Sequence, residues 1–342
     1  MGNRKDLAAR LTHRLAQDCD LDVACPGGEV CIAYETFGRP DGEPLLLVMG
    51  LTFQMIWWPD EFCRELAERG FAVARFDNRD AGLSTHFTAP HRTAPYRTAP
   101  PRTTVRTLLG RGGGPAYRMD DMVDDAVAVM DALGWDSAHL LGESLGATLA
   151  QMVAIWHPSR VRSLVSAMAG GTGGPISNLR NLKVGTLLRL ARKRYDDTRE
   201  GGVQRLADTY LIMCSRRHPI DDAWVRATAE ESWDRDHDPG ATHRQLAAAR
   251  TGGDLRAQLR RLRVPTLVIH GQDDPWIRIR AAHTLAGTIP AARLITYPDM
   301  GHEFPQHLWA TIASDVWDAT QSAASASTPE QRQGNTLRRY PR

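Results

Sequence analysis

The 342-residue sequence is poor in lysine. Only Lys5, Lys183 and Lys193 occur, so nearly all of its basic charge is arginine. The charges also come close to cancelling: 42 Lys and Arg against 40 Asp and Glu give a net charge of +2. That balance creates no strong field, which argues against a nucleic-acid or membrane-surface partner. No run approaches the ~18 apolar residues that a membrane helix needs. The first twenty residues mix Arg, Lys and Asp and lack the apolar stretch of a secretory signal. Cysteine is scarce and odd in number: Cys19, Cys25, Cys31, Cys63 and Cys214 match no zinc spacing. Free thiols in a reducing compartment are the expectation, with a disulfide among the first three as the alternative. These absences point to a soluble, cytoplasmic protein acting on a small molecule, as a monomer or homodimer.

A chain of this length can bury a full core, as one α/β domain or as a domain with a cap. Residues 1–22 read as an N-terminal extension, with Leu7, Leu11 and Leu15 at helical spacing. A hairpin is expected next, from Val23–Ala24 through a Pro-Gly-Gly turn to Val30–Phe37. Leu45–Met49, Phe71–Phe76, Ser137–Leu141, Val161–Met168, Val264–His270 and Arg293–Tyr297 are short apolar runs, the mark of strands buried on both faces. Helical patterns over Glu61–Arg69, Asp120–Leu133, Ala147–Trp156, Ile277–Leu285 and Leu308–Thr320 separate them. Such alternation predicts a mostly parallel sheet with helices on both faces.

Three stretches interrupt this pattern. Residues 88–104 repeat a pentapeptide, TAPxR, three times, and proline every five residues forbids helix or sheet interior. It reads as a solvated insertion, with an anion-binding arm as the other reading. Residues 171–250, after the sixth strand, are Arg-rich, mostly helical and too long for a β–α loop, so a helical cap is expected between core segments 23–170 and 251–320. The tail, 321–342, is rich in Ser, Ala, Gln, Pro and Arg, and disorder is expected there.

The chemistry gathers at strand ends, where open α/β sheets carry their sites. Gly142-Glu143-Ser144-Leu145-Gly146 reads G-x-S-x-G between a strand and a helix, the context of a nucleophile elbow. A serine hydroxyl is a weak nucleophile at neutral pH and needs an adjacent base. His302, in Pro298-Asp299-Met300-Gly301-His302, can supply it, and an acid must then fix its tautomer. Asp274 is the expected acid, in the pattern H-G-x-x-D-P, with neighbouring Asp273 as its competitor. Ser144 is expected within hydrogen-bond reach of His302. Glu143 reads as a solvated elbow residue. The remaining histidines lack a matching spacing and form no metal pattern. Acyl transfer also needs oxyanion donors. The N–H of Leu145 follows the nucleophile, and the N–H of Leu51 lies in the loop after Met49, so both are expected there.

With these residues in view, the sequence resembles the α/β-hydrolase superfamily from about Val30 to Trp317. It is most similar to bacterial polyketide-tailoring esterases of the aclacinomycin methylesterase type. The matching stretches include Leu45–Gly50, Trp58–Phe62, Arg75–Ser84, Asp124–Val129 and Val264–Ile269. The resemblance implies an α/β-hydrolase fold with a cap, and hydrolysis of an ester on a bulky apolar molecule without a cofactor. It carries the triad over to Ser144, Asp274 and His302, and the oxyanion donors to Leu51 and Leu145. Asp77 and Arg79 match a turn that is structural in the family.

The loop after Met49 holds Gly50, Phe53, Met55, Ile56, Trp57 and Trp58, a dense apolar cluster beside the expected oxyanion site. Gly50, Phe53, Trp57 and Trp58, with Met213 and Trp224 from the cap, are the candidate substrate contacts; core packing is the competing role for the loop. The rival function is non-hydrolytic chemistry at the same site, an elimination, lyase or cyclisation reaction with His302 as base. A silent binding protein is a third reading, which a complete triad argues against. An aspartate in place of Ser144 would mark an epoxide hydrolase or dehalogenase, and none is there.

Overall fold

A computed structural model describes residues 21–25, 30–87, 114–171, 173, 180–218, 220–290 and 292–326. The N-terminal helical pattern, the TAPxR repeats and residues 327–342 lie outside the described residues.

The strands are β1 (Leu21–Ala24), β2 (Ile32–Phe37), β3 (Glu43–Val48), β4 (Phe71–Phe76), β5 (Ala138–Glu143), β6 (Val161–Ala167), β7 (Thr266–Gly271) and β8 (Arg293–Tyr297). They form one eight-stranded sheet in the order β1-β2-β4-β3-β5-β6-β7-β8. The β1–β2 and β2–β4 pairs are antiparallel, and every other neighbour pair is parallel. The core helices are α1 (Asp60–Glu68), α2 (Met119–Ala132) and α3 (Leu145–Trp156). After β6 come α4 (Val184–Arg192), α5 (Arg199–Met213), α6 (Asp222–Arg235), α7 (Ala241–Ala249) and the short α8 (Arg256–Leu259). Helices α9 (Arg280–Thr288) and α10 (Trp309–Ala326) complete the core. Helix α10 runs past Thr320 to Ala326, further than the polar composition from Ser322 suggests.

Every residue of β4, β5 and β7 is buried, because helices cover both faces of the parallel sheet. Two apolar clusters fill the two sides. One joins Leu46, Val48 and Leu140 to α2 and α3. The other joins Leu45, Leu47 and Leu141 to α1, α10 and the first turns of the loop after β3.

The expectation of free thiols at the N-terminal hairpin is corrected: Cys25 and Cys31 form a disulfide. The reason is register. Ala24 faces Ile32 in the β1–β2 ladder, so the next pair outward is Cys25 opposite Cys31. Counting cysteines could not show that adjacency. Cys63 and Cys214 are free and buried.

Between β6 and β7 the chain forms a helical segment fastened to the loops at the strand ends. Its anchors are arginines meeting the turn after β4. Arg235 Nη2 donates to Asp77 Oδ2 at 2.6 Å, and Arg244 grips Asp80 with two bonds of 2.8 and 2.7 Å. The same turn is held from below by Arg79, which bonds both oxygens of Asp125 in α2 at 2.6 and 2.7 Å. Asp77 also accepts from the N–H groups of Met55 and Leu83. The turn is therefore structural, as expected for Asp77 and Arg79.

Candidate active site

Ser144 sits between β5 and α3 with φ 55° and ψ −113°, a left-handed conformation that a non-glycine residue adopts only under constraint. The constraint comes from the flanking glycines. A Cβ on Gly146 would lie 2.0 Å from the Val48 carbonyl oxygen, and one on Gly142 would lie 2.3 Å from the Gly146 carbonyl oxygen. Only glycine lets α3 approach β3 and β5 this closely. Gly50 packs on the serine itself: a Cβ there would stand 3.3 Å from Ser144 Cβ.

Asp274 follows β7 and His302 follows β8. His302 Nδ1 lies 2.7 Å from Asp274 Oδ2. The other oxygen, Oδ1, accepts from the N–H groups of Trp276 and Ile277 at 2.7 and 2.8 Å. Burial works against charge on Asp274, but His302 and these donors hold the carboxyl below its ordinary value. Burial likewise disfavours the imidazolium of His302, yet Asp274, Glu143 and Glu303 together hold its pKa above the ordinary value. Asp273, the competitor for the acid role, is engaged elsewhere: its Oδ2 takes Ser215 Oγ and Arg217 Nε, both at 2.8 Å. His270 is a buried neighbour, with Nε2 3.4 Å from Asp274 Oδ2.

The expected hydrogen bond between Ser144 and His302 is not made among the described residues. Such contacts often tighten only when substrate is bound. Leu145 opens α3, so its N–H has no partner within the helix. The N–H of Leu51 donates to no acceptor among the described residues, while its neighbour Thr52 donates to Gln245 Oε1 of α7 at 2.7 Å.

A small cavity of about 20 Å³ is lined by Met49, Phe53, Trp57, Trp58, Pro59, Glu143, Tyr210, Met213, Glu303 and Phe304, so the chain neighbours of Ser144 and His302 reach its wall. Of the candidate contacts, Phe53, Trp57, Trp58 and Met213 reach it, and Gly50 touches Ser144. Trp224 does not line it. Its ring packs edge-on against Trp57 at 5.9 Å and against Tyr210 at 5.5 Å, behind the wall. Glu143 also departs from expectation: it is 9% exposed, and burial pushes its carboxyl up to about 7. Tyr210, Glu303 and Phe304 were not legible as site residues. The only local signal was that Glu303 follows the histidine directly. A wider groove of about 1270 Å³, with Glu43, Arg162 and Val264 in its lining, opens at the opposite ends of the strands and holds none of the candidate residues.

The architecture and the strand-end placement of these residues are those of an α/β hydrolase. A family model described as the alpha/beta hydrolase fold matches residues 43–305, and the chain belongs to that family. It is an enzyme of the hydrolase class. The rhodomycin D methylesterase DauP of Streptomyces sp. (strain C5) is 27% identical over 86% of this chain and 96% of its own length. The rhodomycin D methylesterase DnrP of Streptomyces peucetius gives the same identity and coverage. A 2-hydroxymuconate semialdehyde hydrolase of Pseudomonas sp. (strain CF600) is 32% identical over 62% of this chain and 71% of its own length. Among solved structures, the meta-cleavage product hydrolase CumD of Pseudomonas fluorescens IP01 superposes with a TM-score of 0.65 at 18% identity. That match covers 88% of this chain and 98% of CumD, and it shows a shared fold.

Proposed function

We propose that this hydrolase cleaves an ester of a bulky, largely apolar small molecule through an acyl-enzyme on Ser144. The observation that carries the reading is the buried Asp274–His302 pair at 2.7 Å, at the same sheet edge as a serine held in a left-handed elbow. In this scheme His302 takes the Ser144 proton as the hydroxyl attacks the ester carbonyl, and later returns it to the leaving alcohol. Asp274 holds the imidazole tautomer and stabilises the imidazolium. The N–H groups of Leu51 and Leu145 stabilise the oxyanion. A second round with water releases the acid. All of these groups come from one chain. The length over which the chain matches the rhodomycin D methylesterases supports a polyketide-like substrate.

The helical segment of residues 171–250 acts, in this reading, as a cap that selects the substrate. The cavity lined by Glu143, next to Ser144 in the chain, has room for about one water-sized group. A bulky ester therefore requires the segment to lift from the loop after β3 before it closes again.

The pH dependence follows from His302. Only the neutral imidazole can accept the serine proton, so kcat/KM is expected to rise with pH through a value above the ordinary 6.5. Asp274→Asn removes the largest cause of that upward shift. It is expected to move this limb to lower pH and to reduce kcat by roughly 10⁴-fold. A limb that stays in place in Asp274→Asn would separate Asp274 from the base.

The missing Ser144–His302 bond favours a second reading, in which His302 acts directly as base in an elimination or cyclisation. A serine-directed fluorophosphonate decides between them. The ester reading expects one phosphonyl adduct, located on Ser144 by mass spectrometry, together with loss of activity. A protein left unlabelled and fully active would support the second reading.

A further inference from the structure

The cavity reached by the chain neighbours of Ser144 and His302 contains two carboxyls that take no part in the proposed ester hydrolysis. Glu143 precedes Ser144, and Glu303 follows His302, so the chain brings both to the reacting end of the sheet. Each is buried, at 9% and 4% exposure. Glu303 Oε1 accepts from the Ser215 N–H at 3.1 Å. Oε2 is buried beside Gly301, whose backbone N–H also favours the charged carboxyl, and no side-chain donor reaches it among the described residues. The Glu143 side chain makes no hydrogen bond among the described residues. Among the described residues, no lysine or arginine lines the cavity. Apart from Pro59, the rest of the wall is aromatic or thioether, with Phe53 and Trp58 on it and Trp57 stacked on Tyr210 at 4.8 Å.

Buried carboxyls are costly unless a cation answers them, and aromatic faces attract cations. We propose that the space between Glu143 and Glu303 receives a primary ammonium group carried by the substrate. Its volume of about 20 Å³ suits one such head group and excludes a quaternary one. An ammonium brings three N–H donors and a full positive charge to two carboxyls that, among the described residues, are met only by backbone N–H groups on Glu303. The inference rests on the ester reading for the position of Ser144, and adds what the substrate carries beside the ester.

Binding should depend on pH in a definite sense. Burial pushes both carboxyls up to about 7, and each must ionise to hold the cation. The groups facing them are His302, Asp274, Tyr210 and Cys214. Of these, His302 loses its competing positive charge as pH rises, which acts in the same direction. Affinity for an ammonium is therefore expected to increase from pH 6 to pH 8.

A hydroxyl is the competitor to beat, because Trp58 Nε1 in the same wall is a buried donor with no partner and could serve an alcohol oxygen. The test is calorimetric titration of the Ser144→Ala full chain with benzylammonium and with benzyl alcohol, so that binding is read without turnover. We expect benzylammonium to bind at least about tenfold tighter, and the preference to vanish in Glu303→Gln and Glu143→Gln added to that background. Melting temperatures identify any variant that fails to fold. Equal binding of the two probes, or a preference that survives in both folded Gln variants, overturns the inference. Hydrolysis of p-nitrophenyl butyrate by the native enzyme is measured alongside. Turnover without ammonium preference removes this inference alone. Ammonium preference without turnover of any ester removes the ester reading and leaves the cation site standing.

Discussion

Ser144→Ala is expected to lower ester turnover by roughly 10⁶-fold in kcat, leaving only what the oxyanion donors and binding supply. The argument is chemical: no other hydroxyl occupies the elbow between β5 and α3, and alanine offers His302 no proton to take. The fold should survive, because Gly142 and Gly146 impose the backbone path and the side chain of Ser144 makes no hydrogen bond among the described residues. A second substitution separates chemistry from strain. With φ at 55°, Ser144 holds a conformation that glycine adopts freely. Ser144→Gly should be as inactive as Ser144→Ala and yet more stable than it, by about 1 kcal/mol. Steady-state assays with p-nitrophenyl butyrate and thermal melts of both variants read the two effects. Native-level activity in Ser144→Ala would end the acyl-enzyme proposal.

The largest loss of stability is expected from Arg244→Ala. Asp80 is fully buried, and Arg244 is its bidentate partner across the boundary between the helical segment and the core. Removing the cation leaves a buried carboxylate with the Phe87 N–H at 2.8 Å and the more distant His86 facing it, which costs about 3–5 kcal/mol. The melting temperature should fall by roughly ten degrees. Burial at the pair also explains why the conservative repair differs from the single change. Asp80→Asn combined with Arg244→Met removes both charges and keeps an acceptor for the Phe87 N–H, so it should recover much of the loss. A single variant as stable as the native protein would mean that the ion pair contributes nothing net.

The fold was legible where local pattern and tertiary environment agree. The buried strands were visible as apolar runs because helices on both faces leave them no polar side. The elbow was visible because glycine spacing and the strand–helix junction are both local features. The order of Ser144, Asp274 and His302 along the chain was enough to nominate residues that the sheet then carries to one edge. What escaped depends on pairings between distant segments. The disulfide follows from a ladder register that cysteine counting ignores. The burial of Glu143 and the presence of Glu303 in the cavity depend on how the end of α5 packs against the loop after β8. There, His302 N–H donates to the Met213 carbonyl oxygen at 2.8 Å. Trp224 has the apolar chemistry of a substrate contact and sits in the helical segment, but it packs against Trp57 and Tyr210, and these rings, not its own, line the cavity.

Asp77 has a consequence for how such a protein can change. One carboxylate joins the aromatic loop through Met55, its own turn through Leu83, and the helical segment through Arg235. Three parts of the chain with different tasks thus share a single fastening. A helical segment exchanged from a relative would not seat on this core as a free module. It would need to bring a cation to position 235 and another to position 244, or leave two buried aspartates without their cations. New specificities in this protein are therefore reached more readily by altering residues between the fastenings than by replacing the segment that they hold.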